Sequence, residues 1–169
     1  QPAGELDVQL AGENSFVGRE LDIRTGVAKV CRKSGGALVN GEFFADCVGQ
    51  CLSARWESET PFSGTLFISR EAEEGTEVSV AAKETLLRLD GSISGGIQFA
   101  AQAKICTDGE VAVQGEKLSV QNAKYIQLVI NMATSQKDLE QELAAYDLDA
   151  AQYEQAKARH IDRFSDVMG

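Results

Sequence analysis

Alternation of apolar and polar residues with a period of two runs through most of this 169-residue chain. In the segment Ile97–Ile105, the odd-numbered residues from Ile97 onward are apolar, and most of the residues between them are polar. This pattern is typical of antiparallel strands that bury one face and expose the other. The same alternation recurs in four shorter segments: Leu6–Leu10, Val78–Val80, Val111–Val113 and Leu118–Val120.

Glycine-containing turn signals separate these segments and limit the strands to short lengths. The more uniformly apolar run Tyr125–Ile130 predicts a strand at the centre of a sheet. Many short strands at this spacing favour a sandwich or a barrel. The predicted turns are Ser34-Gly35-Gly36, Asp90-Gly91, Ser94-Gly95-Gly96, Asp108-Gly109 and Gln114-Gly115.

Two turn signals compete near residue 40. Asn40-Gly41 is the strongest hairpin dipeptide in the chain. A turn at Ser34–Gly36 nevertheless leaves Ala37–Ala45 as one long strand, and we favour that arrangement. Gly41 then marks a bulge or a close backbone approach.

The period changes at Ser135, where a C-terminal pair of helices is predicted. Ser135 with Asp138 resembles a capping box, and Asp149 with Gln152 forms a second one. A break near 146–149 separates the helices. The second carries an amphipathic stripe, which needs an apolar surface, either this sandwich or something outside it. The stripe consists of Tyr153, Ala156, His160, Phe164 and Val167. The predicted division is a β-sandwich over 1–134 and a helical linker arm over 135–169.

Composition narrows the function classes. Acidic residues outnumber basic ones 26 to 16, which gives a net charge of −10. Without a basic cluster, nucleic acid and anionic membranes are not expected as partners. No apolar run is long enough to span a bilayer, and no signal peptide is visible. The sequence lacks nucleotide, phosphate and serine-hydrolase motifs, and we expect no cofactor.

The four cysteines, Cys31, Cys47, Cys51 and Cys106, form no C-x-x-C pair, and His160 is the single histidine. A metal site is therefore not expected. If 47–51 is one strand, Cys47 and Cys51 lie about 13 Å apart, too far for a disulfide. Buried free thiols are the expectation, and they lean towards a reducing compartment such as a bacterial cytoplasm, with secretion left open.

Candidate catalytic side chains are few. Glycoside hydrolysis uses two carboxyls about 5–9.5 Å apart, but sequence cannot pair the available glutamates, and 71–77 is expected to be a solvated loop. His160 is expected to be structural, and Trp56 lies either in the core or on a sugar-binding face. No catalytic residue is assigned, and substrate-binding residues stay unknown. The glutamates are Glu57, Glu59, Glu71, Glu73, Glu74 and Glu77.

Short segments spread over the whole chain carry a resemblance to a known family. They are Gln1–Leu6, Arg19–Gly26, Glu42–Ala45, Gly96–Ala101, Leu118–Val120, Ala133–Ser135 and the set His160, Phe164 and Val167. In this order they resemble the N-terminal domain of family 95 glycoside hydrolases, whose characterised members are mainly α-L-fucosidases. The chain departs from that family at Ala45-Asp46-Cys47-Val48, where A-S-x-P is usual, and at Asn40-Gly41.

The resemblance implies a mainly-β, antiparallel super-sandwich followed by a helical linker that leads to a catalytic (α/α)₆ barrel. The chain would then begin after the family's first strands and end inside the linker, with every catalytic residue outside it. The expected function is a non-catalytic scaffold, which meets the carbohydrate substrate only through its barrel. The alternatives are an independent carbohydrate-binding module and a protein-interaction module, and self-association of the segment is left open.

Overall fold

The computed structural model describes residues 4–71, 73–135, 138–145 and 152–168. These residues form ten antiparallel strands and two helices, with no cis peptide bond among them. The elements are β1 (Glu5–Leu10), β2 (Asn14–Asp22), β3 (Val27–Ser34), β4 (Ala37–Asp46), β5 (Cys51–Ser69), β6 (Thr76–Lys83), β7 (Leu86–Ile93), β8 (Gln98–Thr107), β9 (Glu110–Gln114), β10 (Lys117–Thr134), α1 (Leu139–Ala145) and α2 (Tyr153–Met168).

The strands form two leaves that share their two longest members. The large leaf has the order β2-β3-β4-β5-β10-β8-β7-β6, and the small leaf has the order β1-β5-β10-β9. β4 pairs with residues 51–57 of β5, and β1 pairs with residues 64–69 of the same strand. β5 therefore passes from the large leaf into the small one, and β10 does the same in the opposite direction. The sheet is not closed, and the predicted mainly-β sandwich with C-terminal helices is confirmed.

β10 bends where it changes leaf. Its register against β5 shifts between Val120 and Ala123 and again before Tyr125. Asn122 lies at this point with a φ of 56°, a left-handed conformation that asparagine tolerates better than most residues. The local irregularity is a β-bulge, which increases twist and bends the strand.

The main core lies between the two leaves. Leu66, Leu118 and Val120 of the small leaf belong to the same buried cluster as Leu89 and Leu128 of the large leaf. The predicted central strand Tyr125–Ile130 lies within β10, between β5 and β8, which confirms that prediction.

The turn between β3 and β4 falls at Gly35 and Gly36, as the sequence predicts. Their φ values of 56° and 93° suit glycine. Gly41 lies inside β4 without a bulge. A Cβ at Gly41 would lie 3.1 Å from Trp56 Nε1, so Gly41 permits a close side-chain approach.

The predicted turn at Asp90-Gly91 is wrong. Both residues lie in the middle of β7, paired with β6 and β8. The glycine serves packing, because a Cβ at Gly91 would lie 2.1 Å from Cζ of Phe99. A short-range turn signal was here overridden by a tertiary contact.

Cys47 and Cys51 do not share a strand, so the condition on which their distance estimate depends is not met. Residues 47–50 form a turn, and Cys51 begins β5. The thiols are free, but they are not buried: Cys47 is exposed, and the other three are partly exposed. The distance estimate of about 13 Å, which assumed an extended segment, does not apply.

The first helix starts three residues later than the predicted cap. Asp138 is the N-cap, since its Oδ1 accepts a hydrogen bond from the backbone N–H of Gln141 at 3.0 Å. Ser135 instead follows the last residue of β10, and its Oγ accepts a hydrogen bond from the backbone N–H of Gln98 at 2.9 Å. Asp149 and the predicted break lie outside the described residues. Neither described helix is long and apolar enough to cross a bilayer.

Candidate functional site

The outer face of β4 carries an aromatic residue between two acids. Glu42, Phe44 and Asp46 are two residues apart, so they share one face of the strand. This is the face opposite the main core, and α2 packs on it. We call the contact between α2 and the outer face of β3, β4 and β5 the arm interface.

An aromatic stack forms the apolar centre of the arm interface. The Phe44 ring lies 5.4 Å from the ring of Tyr153 and 5.0 Å from that of His160, with the imidazole nearly parallel to it. Phe164 continues the stack at 5.7 Å from His160. Val27, Phe44 and Tyr153 are all buried here. The amphipathic stripe of α2 therefore covers the sandwich itself, the first of the two alternatives left open by the sequence.

His160 is packed rather than presented to solvent. Its side chain is 5% exposed, and within the described residues its Nε2 has no hydrogen-bond partner. A Cβ at Gly26 would lie 3.1 Å from this Nε2 and 2.8 Å from the Phe164 ring. Gly26, whose φ is 66°, thus allows the turn after β2 to approach the helix closely. A general base also needs an oriented partner and access to substrate, and this environment supplies neither.

Glu42 is the polar anchor at one end of the stack. Its carboxylate lies 2.5 Å from Lys157 Nζ and 3.5 Å from Lys29 Nζ, and it accepts a hydrogen bond from the Tyr153 hydroxyl at 3.4 Å. Burial raises the pKa of Glu42, but the hydrogen bond and charge of Lys157 outweigh it, so the net pKa is lowered. Burial and the Glu42 carboxylate raise the pKa of Tyr153.

Asp46 anchors the other end of the stack. Its side chain is 0% exposed and accepts a hydrogen bond from Arg159 Nε at 3.1 Å and one from the backbone N–H of Val48 at 3.0 Å. Burial raises the pKa of this carboxyl, but Arg159 and backbone N–H groups together hold it below its ordinary value. Nearby, burial and the Asp46 charge raise the pKa of the Cys51 thiol.

A second, smaller contact holds α1. Leu143 packs with Ala100 and Ala133, and its backbone carbonyl accepts hydrogen bonds from Asn131 Nδ2 at 3.2 Å and Gln102 Nε2 at 3.3 Å. Arg88 of β7 pairs with Asp90 on the same strand and with Glu140 of α1, and the second contact joins the strand to the helix. These side chains project from the same outer face as the arm interface, so both helices lie on one side of the large leaf.

Trp56 is partly buried on the inner face of β5. It packs edge-on against Phe43 at 5.2 Å and contacts the main core. The six candidate glutamates are all exposed: Glu71, Glu73 and Glu74 in the loop before β6, Glu77 on β6, and Glu57 and Glu59 on β5. The expectation that all of 71–77 is loop is therefore wrong at its end, because β6 begins at Thr76 and includes Glu77.

Two of these carboxylates are engaged in ion pairs at the surface. Arg70 pairs with Glu73, and Arg55 pairs with Glu57. Across the parts of the chain that the structure describes, no three histidine, cysteine or acidic side chains converge on a point that could hold a metal ion. What the arm interface can do is bind a helix in one position through packing and ion pairs.

Sequence reasoning predicted the helical stripe but missed the acids that receive it. Glu42 and Asp46 are paired with Lys157 and Arg159, more than a hundred residues along the chain. The signal in the sequence was the series Glu42, Phe44 and Asp46 at every second position of β4. This spacing places two acids beside an aromatic residue on the strand face opposite Phe43. Only the fold shows which cations meet them.

The fold and the arm interface together define a mainly-β domain that carries docked helices. The family model for the N-terminal domain of glycosyl hydrolase family 65 matches residues 1–138, so the chain belongs to that family of domains. Among curated proteins, no sequence matches the chain. One similar solved structure is a putative kojibiose phosphorylase from the human microbiome, with a TM-score of 0.62 and 12% identity. The match covers 93% of this chain and 27% of that one, so this chain spans about a quarter of the length of that protein.

Proposed function

We propose that this chain is the non-catalytic N-terminal scaffold of a larger glycoside-cleaving enzyme, and that its arm interface holds the linker to the catalytic domain. The observation that carries the proposal is the position of the helices. The family match ends at residue 138, and α1 and α2 follow it, docked on the outer face of the large leaf.

The ion pairs of Glu42 and Asp46 with α2 favour a linker that is held in one position on the sandwich. A helix that only covered apolar surface would need no buried charge, because a buried ion pair is at best a weak source of stability. Asp46 with Arg159 and Glu42 with Lys157 join two separate points of β4 to α2, which favours one position of the helix along the strand. A fixed linker orients the next domain relative to the sandwich.

The catalytic partner is proposed to be an (α/α)₆ barrel outside this chain. Its sugar chemistry has two candidates. The family 95 resemblance implies hydrolysis of α-L-fucosides. The family 65 domain match and the likeness to a kojibiose phosphorylase instead favour phosphate-dependent cleavage of a glucose disaccharide. The scaffold proposal is common to both.

The test is a substrate panel run on residues 1–169 and on the longer polypeptide that contains them. The panel includes an aryl α-L-fucoside without phosphate and kojibiose with inorganic phosphate. We expect no turnover by residues 1–169 and turnover of one substrate by the longer polypeptide. Turnover by residues 1–169 alone would contradict the proposal, as would a longer polypeptide without any glycoside-cleaving activity.

An independent carbohydrate-binding module is the competing function. Such a module binds sugars on exposed aromatic rings, whereas Trp56 and Phe43, which line a cleft next to β1, are partly buried and pack edge-on against each other and against the core. Titration of residues 1–169 with fucose, glucose and kojibiose, followed by Trp56 fluorescence, is expected to show no saturable change. Saturable binding would favour the module instead.

A further inference from the structure

Cys47 and Cys51 lie at the same end of one hairpin, and both are free thiols. β4 ends at Asp46 and β5 begins at Cys51, and these two residues pair directly across the hairpin. The connection consists of residues 47–50 alone. Cys47 is therefore the next residue after the partner of Cys51, and the fold holds the two thiols near each other.

The turn 47–50 is wound like the first turn of a helix. Asp46 Oδ1 accepts a hydrogen bond from the backbone N–H of Val48 at 3.0 Å, and the same carboxylate accepts one from the backbone N–H of Gly49. Acceptance from the second and third residues ahead is the pattern of a helix N-cap. Gln50, with a φ of 47°, has the left-handed conformation that ends such a turn.

This winding brings the two cysteines within range of a disulfide. Residues four apart in a helical turn have Cα atoms about 6 Å apart, and a disulfide joins Cα atoms up to ~7 Å apart. An extended segment would have separated Cys47 and Cys51 about twice as far. The tight turn therefore decides what these two thiols can do.

The two thiols differ in access. Cys47 is exposed, and Cys51 is partly buried at the start of β5. Burial and the Asp46 carboxylate raise the pKa of Cys51, so this thiol forms a thiolate less readily. A surface thiol that reacts first, with a second thiol within reach, is the arrangement of a cysteine pair that closes a disulfide.

The turn also borders one end of the arm interface. Asp46, which caps the turn, accepts a hydrogen bond from Arg159 Nε of α2 at 3.1 Å. A Cβ at Gly49 would lie 2.7 Å from Asp46 Oδ2 and 3.2 Å from Arg159 Nη2, so the turn backbone packs against the ion pair. A cross-link that stiffens residues 47–50 therefore holds the acceptor of Arg159 in place.

We propose that Cys47 and Cys51 form a reversible disulfide that closes this turn and tightens the docking of α2. The oxidant is a small-molecule disulfide of the kind that glutathione forms. The proposal concerns the thiols and the arm interface, and it does not depend on the glycoside-cleaving function.

The reaction is two successive thiol–disulfide exchanges. The Cys47 thiolate attacks one sulfur of the oxidant, forms a mixed disulfide and releases one thiolate. The Cys51 thiolate then attacks the Cys47 sulfur, forms the internal disulfide and releases the second thiolate. The two cysteines are oxidised, the oxidant is reduced to two thiols, and these thiols take up the two cysteine protons.

The test is treatment of residues 1–169 with oxidised glutathione at pH 8, near the ordinary pKa of a thiol, followed by alkylation of the remaining thiols and peptide mass spectrometry. Trypsin leaves both cysteines in one peptide, residues 34–55, because no lysine or arginine lies between Lys33 and Arg55. We expect this peptide to lose two hydrogen atoms and to take up no alkylating reagent, and we expect dithiothreitol to restore both thiols. A mixed disulfide that persists on Cys47, or dimers linked through Cys47, would overturn the proposal.

Three variants separate the internal disulfide from general thiol oxidation. Cys51→Ser is expected to stop at the mixed disulfide on Cys47, and Cys47→Ser is expected to form no bridge. Cys31→Ser is the matched control, because Cys31 is also a partly exposed thiol but lies in the middle of β3. It is expected to form the bridge as fast as the parent chain. Bridge formation that Cys31→Ser abolishes would overturn the assignment of the pair.

Hydrogen exchange of the α2 amides tests the effect on the arm interface. In the oxidised chain, we expect the amides of residues 157–164 to exchange more slowly than in the reduced chain by about 5-fold or more, since they exchange through a local opening that separates Arg159 from Asp46. Cys47→Ser treated with the same oxidant is expected to show no such change. Equal exchange in the oxidised and reduced chains would overturn the tightening of α2 by the disulfide.

Discussion

The imidazole of His160 stacks on the ring of Phe44, with centroids 5.0 Å apart and planes inclined by 27°. The contact joins the middle of β4 to the middle of α2, and an ion pair flanks it on each side. An aromatic pair contributes about 0.5–1.5 kcal/mol beyond its buried area. Phe44 is therefore the side chain on which the docking of α2 depends most.

Phe44→Ala is expected to destabilise the chain by about 3–5 kcal/mol, since the substitution removes a buried ring in contact with Tyr153 and His160. Urea unfolding followed by the fluorescence of Trp56, the single tryptophan, measures it. Phe16→Ala is the control, because Phe16 is 61% exposed, and it is expected to change stability by no more than about 0.5 kcal/mol. Equal losses in both variants would show that Phe44 does not have this role.

Acid is expected to weaken the arm interface. The pKa values of Glu42 and Asp46 are lowered in the folded state. Their contribution to stability is therefore complete above their unfolded pKa values, near 4, and is lost as the pH falls through the folded ones. Far-ultraviolet circular dichroism and unfolding curves between pH 7 and pH 3 measure the loss.

Asp46→Asn separates this effect from general acid denaturation. Replacing the carboxylate weakens its bonds with Arg159, so we expect a loss of about 1.5–3 kcal/mol at pH 7 and a flatter dependence on pH. Glu59→Gln, an exposed change on β5, is expected to alter neither quantity. An unchanged pH profile in Asp46→Asn would contradict the assignment.

Gly91→Ala is expected to destabilise the sandwich by about 1–3 kcal/mol, because the new methyl group would overlap the Phe99 ring. Gly18→Ala is the matched control, since it lies in β2 with nothing within 4 Å of its Cβ position. Thermal unfolding of both variants measures the difference. If Gly91→Ala were as stable as Gly18→Ala, the packing explanation for Gly91 would be wrong.

Cys47 and Cys51 are expected to differ in reactivity. Cys47 is exposed in the turn after β4, whereas Cys51 is partly buried and its pKa is raised by burial and by the Asp46 carboxylate. Since the thiolate is the reactive species, iodoacetamide at pH 8 should label Cys47 first. Peptide mass spectrometry follows the order, and earlier labelling of Cys51 would contradict it.

The sequence was sufficient for local structure and insufficient for distant pairings. Period-two alternation predicted the strands, and Ser34–Gly36 was correctly placed as a turn, since both depend on neighbouring residues. Asp90-Gly91 failed because Phe99, on the next strand, determines why a glycine stands there.

The site shows the same limit. The stripe on α2 predicted that a surface must cover it, but the identity of that surface depends on pairs such as Asp46 with Arg159. The passage of β5 and β10 through both leaves was likewise invisible, because strand pairing between distant segments leaves no mark on local periodicity. The sequence therefore predicted which elements exist, and the structure shows what they bind.

The most direct test of the scaffold account is the glycoside-cleaving activity of the longer polypeptide with Phe44→Ala, with Val113→Ala at an exposed site of β9 as control. Inactivation temperature and kcat/KM at low temperature are measured for both. The account predicts that Phe44→Ala lowers the inactivation temperature by several degrees, since about 1 kcal/mol shifts a melting temperature by a few degrees, while kcat/KM of the folded enzyme stays unchanged. An unaltered inactivation temperature, or a kcat/KM that falls at low temperature, would contradict it.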